Sequence, residues 1–315
     1  MNRDRRRMLA FGASALAAPV LIKQAAAADG AARAQAAVDR FARIPASASC
    51  LVVVDHPTAP WRAAHDPAAR LFVGSAVKTF ILAQYLREVE AGRLTEDQQV
   101  KVDDAVRTVS SPVFLNLTGT TQARSALEAM IAHSDNTATD ITLAAAGPAQ
   151  VRALIAEAGL KQTQVPDSTR RLFSYIAGAP DGVDLGWDGL LRAQNGSLSG
   201  APRPPLNDKQ TMASTAEDMV RWYQQVLRGA FFKKPQTLVE FKRISAMADA
   251  IAAPPDTPAY GKGGSVDWEG FHCLAFAGQM IVSKVPVSFC LTINRNGPDD
   301  KVPAVMQTYI AGAAG

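Results

Sequence analysis

The sequence predicts an α+β fold in which both ends of the chain build one sheet and a helical region is inserted between them. Strand-like runs occur near the start of the folded part, at 50–54 (CLVVV), and near its end, at 271–283 and 286–293. The segments between these runs carry the apolar spacing of helices. Because strands collect at both ends of the chain, we expect the terminal segments to share a sheet.

The first elements follow directly from composition and spacing. Residues 31–43 predict an alanine-rich helix, and residues 50–54 predict a β-branched strand. Pro57 and Pro60 punctuate a second short strand or turn. Across 77–91 apolar side chains cover most of the helical circumference, which predicts a buried helix.

The middle of the chain continues as helices. Pro148 suits a helix start, Gly159 suits a helix end, and the pattern Ser214-x-x-Glu217 is a capping box that opens a later helix. The predicted helices cover 121–133, 137–146, 149–158, 216–228 and a region near 301–312.

One stretch differs from its surroundings. Residues 178–206 hold six glycines and four prolines, with Trp187 and a Leu190-Leu191 pair between them. This composition predicts a long irregular excursion, and we interpret it as a surface insertion or flap rather than a linker between domains.

Composition and charge exclude several classes of function. The chain has 315 residues, of which 48% are hydrophobic and 20% charged, and this is typical of a soluble globular protein. Its formal net charge of +4 is entirely accounted for by residues 1–28, so the remainder is balanced. A nucleic acid or other polyanion is therefore not an expected partner.

The N-terminal residues 1–28 predict an export signal peptide. Paired arginines, Arg5-Arg6, precede an apolar stretch at 9–22 that is too short to span a bilayer, and the small residues 25–28 suit cleavage. The paired arginines resemble the twin-arginine signal. The alternatives are an ordinary secretory signal or a short membrane anchor. No later stretch of the sequence is long and apolar enough to cross a membrane.

Cysteines and histidines give no metal-binding pattern, so neither a metal nor a cofactor is expected. All three cysteines lie in strand-like runs, which predicts that they are small core residues, although one disulfide of undetermined pairing is compatible with export. The four histidines are interpreted as structural. These residues are Cys50, Cys273, Cys290, His56, His65, His133 and His272.

The first candidate motif is Ser75-Ala76-Val77-Lys78 at the start of a predicted helix. Residues three apart on a helix lie on one face, so Lys78 can approach the Ser75 hydroxyl. A serine needs a nearby base to act as a nucleophile, and a buried lysine with a lowered pKa can be that base. The alternative is that Ser75 is a helix N-cap.

The second motif is Ser134-Asp135-Asn136, between two predicted helices. The Ser134 hydroxyl could pass a proton to a leaving nitrogen, and Asn136 could hold the lysine and a substrate amide together. We expect Asp135 to fix the loop through backbone N–H groups. The alternative is a simple helix-capping turn.

The third motif, Lys262-Gly263-Gly264-Ser265, precedes the closing strands. A lysine on a strand edge attracts a substrate carboxylate, and glycines allow close approach of a substrate backbone. The alternative is a glycine turn with a solvated lysine.

In this order, the three motifs resemble those of the penicillin-recognising serine enzymes, and within them the class A β-lactamases. The resemblance covers most of residues 35–310. It implies a mostly antiparallel five-stranded sheet flanked by helices, with an all-helical domain and the active site between them. The expected division is a sheet domain of 29–68 and 215–315 and a helical domain of 69–214.

The resemblance also implies a role for each residue. Ser75 would be acylated, Lys78 would accept or relay its proton, and Ser134 would protonate the lactam nitrogen. Asn136 and Lys262 would bind the substrate amide and carboxylate. The substrate-binding strand would include Gly264, and the oxyanion hole would use the backbone N–H groups of Ser75 and Ser265.

Two departures from the family pattern concern substrate binding and turnover. Gly263 stands where the family usually has a hydroxyl residue, so one hydrogen bond to the carboxylate is lost unless the Ser265 hydroxyl replaces it. The family's deacylating glutamate would fall near Thr169, but no glutamate occurs between Glu157 and Glu217. The nearby carboxylates, which are also readily explained as turn residues, are Asp167, Asp181 and Asp184.

The sequence therefore predicts an exported, monomeric serine hydrolase that is acylated by β-lactams and deacylates slowly. The alternatives are a penicillin-binding D,D-peptidase that takes an acyl-D-Ala-type peptide, an esterase, or a non-hydrolytic receptor for β-lactams or cell-wall fragments.

Overall fold

A computed structural model describes residues 30–248 and 256–298, and its central feature is a five-stranded antiparallel sheet. The leader and the helix predicted near 301–312 lie outside these described residues. The strands of this sheet are β1 Ser47–Val54, β2 Trp61–His65, β7 Ala259–Trp268, β8 Phe271–Val282 and β9 Val285–Asn296. The strand order is β2-β1-β9-β8-β7, so early and late segments of the chain contribute to one sheet, as the sequence predicts.

The alternation of side chains along β9 divides the core into two layers. Cys290 belongs to the large core cluster on one face of the sheet, whereas its neighbours Phe289 and Leu291 pack in a smaller cluster on the other face. This follows from the two-residue period of a strand. Cys50, Cys273 and Cys290 are buried free thiols, which confirms their prediction as core residues.

Helices cover both faces of the sheet. A first helix, α1, occupies 30–41 and packs Val38 and Phe41 into the smaller cluster. The large cluster is built around a second helix, α2 (Lys78–Glu90), which is buried over nearly its whole length as predicted. The remaining helices are α3 Ala123–Ala132, α4 Asn136–Ala146, α5 Pro148–Glu157, α6 Thr169–Ile176, α7 Gly186–Gln194, α8 Ala216–Val226 and α9 Pro235–Ser245.

Region 69–214 was expected to be all-helical, and the structure corrects this. It also contains two short antiparallel ladders. The first joins β3 (Leu71–Phe72) to β6 (Ala213–Ser214), and the second joins β4 (Gln99–Val102) to β5 (Gly119–Gln122). These strands have two to four residues, and β5 (GTTQ) is mostly exposed, so neither length nor apolar alternation signals them.

The expectation of irregular structure throughout 178–206 is also wrong, because α7 lies inside this segment. The segment is an excursion whose two ends meet at a narrow neck. Ser199 N donates to Ala177 O at 3.0 Å, and Arg203 N donates to Ile176 O at 2.9 Å. At the neck the backbones of Gly178 and Gly200 touch, because a Cβ built on Gly178 would lie 2.5 Å from Gly200 backbone atoms. The excursion is therefore anchored at both ends.

The start of α8 differs by one residue from the predicted capping box. The N-cap is Thr215, whose side chain accepts a hydrogen bond from Asp218 N at 3.0 Å. Ser214 instead pairs with Leu71 in the β3–β6 ladder. The ladder removes Ser214 from the cap, and the next hydroxyl residue takes this position.

Candidate active site

Ser75 lies in a short 3-10 turn, Gly74–Val77, that leads directly into α2. Lys78 N donates to Ser75 O, so the two residues are joined by the turn and stand on one face. The cap position of this turn is Val73, and no side chain caps it. The alternative that Ser75 is a helix N-cap is therefore excluded.

Lys78 is the most deeply buried cation of the site. Its side chain has no solvent exposure, and Nζ donates to Ser134 O at 2.6 Å and to Asn136 Oδ1 at 2.7 Å, with Ser134 Oγ at 3.3 Å. Burial, together with the nearby charge of Lys262, holds the pKa of Lys78 well below its usual range, and Asp135 and Asp140 only partly oppose this shift. A neutral amine is favoured here far more than in an exposed lysine.

The two carbonyl oxygens around Lys78 can only accept hydrogen bonds, whereas the Ser134 hydroxyl can either accept or donate. The same geometry therefore holds the ammonium, which has three N–H donors, and the neutral amine, which has two donors and a lone pair. Lys78 can gain or lose a proton without moving.

The Ser134-Asp135-Asn136 loop owes its shape to two local features. Ser134 has a φ of 59°, a left-handed conformation that is uncommon for residues other than glycine. Asp135 caps α4 by accepting from Ala138 N at 2.8 Å, and it also accepts from Val113 N and Phe114 N at 2.9 and 2.8 Å. This confirms that Asp135 fixes the loop through backbone N–H groups.

Strand β7 lies against the Ser75 turn, backbone to backbone. A Cβ on Gly264 would lie 2.0 Å from Val73 O and 2.8 Å from Ser75 N, and a Cβ on Gly74 would lie 3.1 Å from Ser265 N. Only glycine at position 264 permits this approach. The contact brings the backbone N–H groups of Ser75 and Ser265 to neighbouring positions.

Lys262 is buried on β7 and is not the solvated lysine of a glycine turn. Its side chain is 3% exposed, and Nζ donates to Gly263 O at 2.9 Å. Two buried lysines therefore belong to the site, and the charge of Lys262 helps to lower the pKa of Lys78.

The predicted residues meet at one cleft of about 510 Å³. Ser75, Ser134, Asn136 and Ser265 line it, while Lys78 and Lys262 lie buried behind its surface. The rest of the wall is mainly apolar and includes side chains from α6, α7 and the end of β7. These are Leu172, Phe173, Ile176, Leu190, Ala193, Val266 and Trp268.

Asp140 was missed by the sequence reasoning. It is buried on α4, and it accepts hydrogen bonds from Thr169 N at 2.6 Å and Arg170 N at 3.0 Å. Burial raises the pKa of Asp140 to about 6, although these backbone N–H groups and the charge of Lys78 lower it. A sequence signal existed only in its spacing, because Asp140 follows Asn136 by one helical turn.

The carboxylates considered for deacylation are engaged elsewhere. Asp167 pairs with Arg152 at 2.5 Å and Arg171 at 3.2 Å, and it accepts from Gln210 at 3.0 Å. Partial burial would raise its pKa, but these partners outweigh burial and lower it. None of the three, Asp167, Asp181 and Asp184, is among the residues that line the Ser75 cleft.

The two remaining carboxylates of this group also have partners outside the cleft, and the expected glutamate position is buried. Asp184 pairs with Arg170 at 3.0 Å and accepts from Gly186 N at 2.8 Å. Asp181 lies 3.5 Å from Gln210 Nε2. Thr169 begins α6 with no exposed surface.

The antiparallel sheet with its mainly helical insertion defines the β-lactamase/transpeptidase-like α+β fold. The family model described as "Beta-lactamase enzyme family" matches residues 34–242, about two thirds of the chain. The chain belongs to this family, and it is a hydrolase of the β-lactamase kind. No curated protein matches it.

Solved structures with the same fold are class A β-lactamases and related proteins. The β-lactamase from Sphaerobacter thermophilus superposes with a TM-score of 0.66 at 15% identity, covering 89% of this chain and 94% of that one. The chromosome-encoded β-lactamase of Vibrio parahaemolyticus gives 0.66 at 17% identity, covering 87% and 96%. The class A β-lactamase reconstructed as the last common ancestor of Gram-negative bacteria gives 0.64 at 16%, covering 89% and 98%.

Proposed function

We propose that this protein is an active-site serine hydrolase that is acylated at Ser75 by β-lactams and deacylates slowly. The observation that carries the proposal is the environment of Lys78. Its amine is buried, has a lowered pKa and is held by Ser134 and Asn136 one turn from Ser75. An amine in this state can take a proton from a serine hydroxyl.

The acylation step follows from these positions. Lys78 accepts the Ser75 hydroxyl proton while Ser75 Oγ attacks the lactam carbonyl carbon. The backbone N–H groups of Ser75 and Ser265 stabilise the oxyanion. As the carbon–nitrogen bond breaks, the Ser134 hydroxyl donates a proton to the nitrogen and regains one from the Lys78 ammonium. The product is an ester at Ser75, with the opened amine still attached to the acyl group.

Substrate binding is assigned to residues around this centre. Lys262 attracts the substrate carboxylate, and the Ser265 hydroxyl replaces the hydroxyl that Gly263 lacks. Asn136 Nδ2 bonds Val109 O at 3.0 Å, which leaves its second N–H for a substrate amide. Gly264 keeps strand β7, which carries Lys262 and Ser265, close to the Ser75 turn.

Slow deacylation is supported by the carboxylates near the site. Hydrolysis of the ester needs a base that orients and deprotonates a water. Asp167 and Asp184 are paired with arginines, and Asp140 has both oxygens occupied by backbone N–H groups. Asp267, which lines the cleft, bonds His272 Nδ1 at 2.8 Å. The ester is therefore long-lived.

Nitrocefin turnover tests the proposal. We expect a burst of about one equivalent of product followed by a slow steady state. Mass spectrometry of the intact protein during the steady state should show the added mass of the acyl group. Ser75→Ala should give no burst, and Lys78→Ala should slow the burst by roughly 10²–10⁴-fold. A label on another residue, or labelling of Ser75→Ala, would refute acylation at Ser75. Fast turnover without a burst would refute slow deacylation alone.

The alternative activities predict different results in the same assay. A D,D-peptidase or esterase would turn over acyl-D-Ala-D-Ala peptides or simple esters faster than nitrocefin. A receptor would consume one equivalent of nitrocefin and hydrolyse none of these substrates. The buried, low-pKa Lys78 favours a catalyst over a receptor, because binding alone does not need a base at this position.

Export and a monomeric state complete the proposal. Within 30–248 and 256–298, no helix combines the length and apolar character that crossing a bilayer requires. Twin-arginine export rests on Arg5-Arg6 and the apolar run at 9–22. Replacing both arginines by lysine keeps the charge and should keep the protein in the cytoplasm, whereas normal export of this variant would refute the pathway.

A further inference from the structure

Helix α7 stands between two cavities and lines both. Leu190 and Ala193 contribute to the Ser75 cleft, whereas Trp187 and Leu191 line a second cavity of about 750 Å³. Gln194 belongs to both walls. The second cavity, called here the outer cavity, therefore begins where the Ser75 cleft ends.

The outer cavity presents an indole surrounded by hydrogen-bonding groups. Loop 107–118 forms its second wall and contributes Leu115, Asn116 and Thr118, opposite Trp187 and Gln194. Within the part of the chain that the structure describes, the side-chain amides of Asn116 and Gln194 make no hydrogen bond. Both are exposed, so both can bind a ligand in place of water.

The one charged residue of this lining, Arg107, is already engaged. Its guanidinium donates to Asp104 at 2.8 Å, to Phe114 O at 3.3 Å, to Leu115 O and to Thr118 Oγ1 at 3.1 Å. Asp104 balances its charge, and the side chain of Arg107 is buried. The outer cavity consequently offers no free charge to a carboxylate or phosphate.

We propose that the outer cavity binds a neutral saccharide ring in the distal part of a substrate whose reactive carbonyl lies at Ser75, an assignment that rests on the proposed function. A sugar ring has an apolar C–H face that packs on Trp187, and hydroxyl groups at its edge that bond Asn116, Gln194 and Thr118. A plain aromatic ring would cover these amides without bonding them, which is unfavourable.

Continuity with the Ser75 cleft supports a single extended ligand. Val109, Ser110 and Pro112 line both cavities, as Gln194 does. The same loop is fixed to the catalytic centre, because Asn136 Nδ2 donates to Val109 O and Asn136 N donates to Ser110 O at 3.3 Å. A substrate held at Ser75 therefore reaches the outer cavity along a wall that does not need to move.

Saturation-transfer NMR can measure the binding of cellobiose to the full chain, and it tests the site without any acylation. We expect binding in the millimolar range and a three- to tenfold weaker affinity for Trp187→Ala, about the effect of one aromatic contact. Trp61→Ala is the matched control, because Trp61 lies on β2, the edge strand opposite β7, which lines the Ser75 cleft. This variant should bind cellobiose like the wild type. Three results would each overturn the saccharide assignment. These are equal affinity of Trp187→Ala and the wild type for cellobiose, no binding of cellobiose at about 20 mM, and tighter binding of benzyl alcohol than of cellobiose.

A pair of ester substrates tests whether the two cavities act together. One is a short N-acyl ester, and the other carries a glucosyl group on the distal end of the same acyl chain. We expect the glucosyl ester to acylate Ser75 about three- to tenfold faster in kcat/KM, and Trp187→Ala to bring the ratio of the two rates towards one. A ratio of one in the wild type would overturn the inference while leaving acylation intact. If neither ester labels Ser75, acylation fails and the cellobiose result alone decides the saccharide site.

Discussion

Asn136 and Asp140 lie one turn apart on α4, and each fixes a different part of the site. Asn136 Oδ1 accepts a hydrogen bond from Lys78 Nζ at 2.7 Å. Asp140 accepts from the first two backbone N–H groups of α6, those of Thr169 and Arg170. One helix therefore sets the position of the proposed base relative to the wall that carries Leu172 and Phe173.

Asp140 should make the stability of the protein depend on pH. Burial raises its pKa to about 6 from an ordinary 3.8, so the folded state favours the neutral acid. This contribution is fully present below pH 3.8 and is lost as pH rises through 6, with a maximum of about 3 kcal/mol. Relative to Asp140→Asn, the wild type should lose free energy of unfolding between pH 4 and pH 7 in urea titrations.

Asp167→Asn provides the control for this measurement, because the pKa of Asp167 is lowered and its contribution has the opposite sign. That contribution is present above pH 3.8 and is lost as pH falls through the lowered pKa. Parallel pH curves for the wild type and Asp140→Asn would contradict the assignment to Asp140.

Installing a carboxylate at Thr169 should accelerate deacylation only when Asp140 is neutralised. Thr169 has no exposed surface, and its N–H bonds Asp140, so Thr169→Glu alone brings two carboxyl groups into one buried space. Like charges there raise the pKa of one group, so this group keeps its proton and is not available as a base. The double variant Thr169→Glu/Asp140→Asn should show a faster steady state with nitrocefin than Thr169→Glu alone, and an unchanged burst.

Asp140→Asn alone is the control, and it should leave the steady state slow because no new base is present. A single variant Thr169→Glu that matches the double variant would show that Asp140 does not limit the introduced carboxylate.

The sequence predicted the parts of the site that depend on short-range relations. The Ser75–Lys78 spacing places both on one face of a turn, and Asp135 at a helix start bonds N–H groups as such residues do. The sequence did not predict Asp140 as a site residue, because its partners lie 29 and 30 residues further along the chain and only the tertiary fold brings them together.

Glycines weaken the sequence signal of two elements near the site. Strand β7 was expected from the motif and the family resemblance rather than from its own pattern, because its three glycines, Gly261, Gly263 and Gly264, suppress the strand signal. At position 264 the glycine is required by contact with Val73 O, which no local pattern encodes. Helix α7 contains Gly186 and Gly189, so glycine content obscured the helical spacing of Trp187, Leu190 and Leu191.

Gly264→Ala should strongly reduce the rate of acylation. The added Cβ would lie 2.0 Å from Val73 O and 2.8 Å from Ser75 N, so β7 and the Ser75 turn must separate. Losing one oxyanion donor typically costs roughly 10²–10³-fold in rate. We expect a loss of this size in the nitrocefin burst rate, together with a lower unfolding midpoint.

Gly30→Ala is the matched control, because its Cβ would meet Trp61 Nε1 at an ordinary 4.0 Å. It should change neither rate nor stability appreciably. A burst rate for Gly264→Ala equal to that of the wild type would show that the close contact does not position the oxyanion donors.

A second pH effect should arise from the pair Glu96 and Glu240. Burial, followed by the hydrogen bond and charge of Glu240, raises the pKa of Glu96 to about 7. The stabilising contribution of the proton on Glu96 is present below pH 4.5 and is lost as pH rises through 7, whereas the pKa of Glu240 is lowered by Arg243 and Glu96. Glu96→Gln keeps a donor without the charge, so its thermal midpoint should exceed that of the wild type at pH 8 and approach it at pH 5. Asp97→Asn removes an exposed neighbouring carboxylate and should not show this pH-dependent difference from the wild type.

Trp268→Phe should loosen the excursion 178–206 without emptying the cleft wall. Trp268 Nε1 donates to Arg203 O at 3.2 Å, which ties the returning end of the excursion to β7. Phenylalanine keeps most of the ring but removes the donor, and the loss of one hydrogen bond is worth about 1 kcal/mol, or roughly a fivefold faster local opening. Hydrogen exchange followed by mass spectrometry should show faster exchange at the Ser199 and Arg203 amides, which close the neck. Trp61→Phe should leave these amides unchanged. Equal exchange in Trp268→Phe and the wild type would mean that the neck contacts alone hold α7 against the cleft.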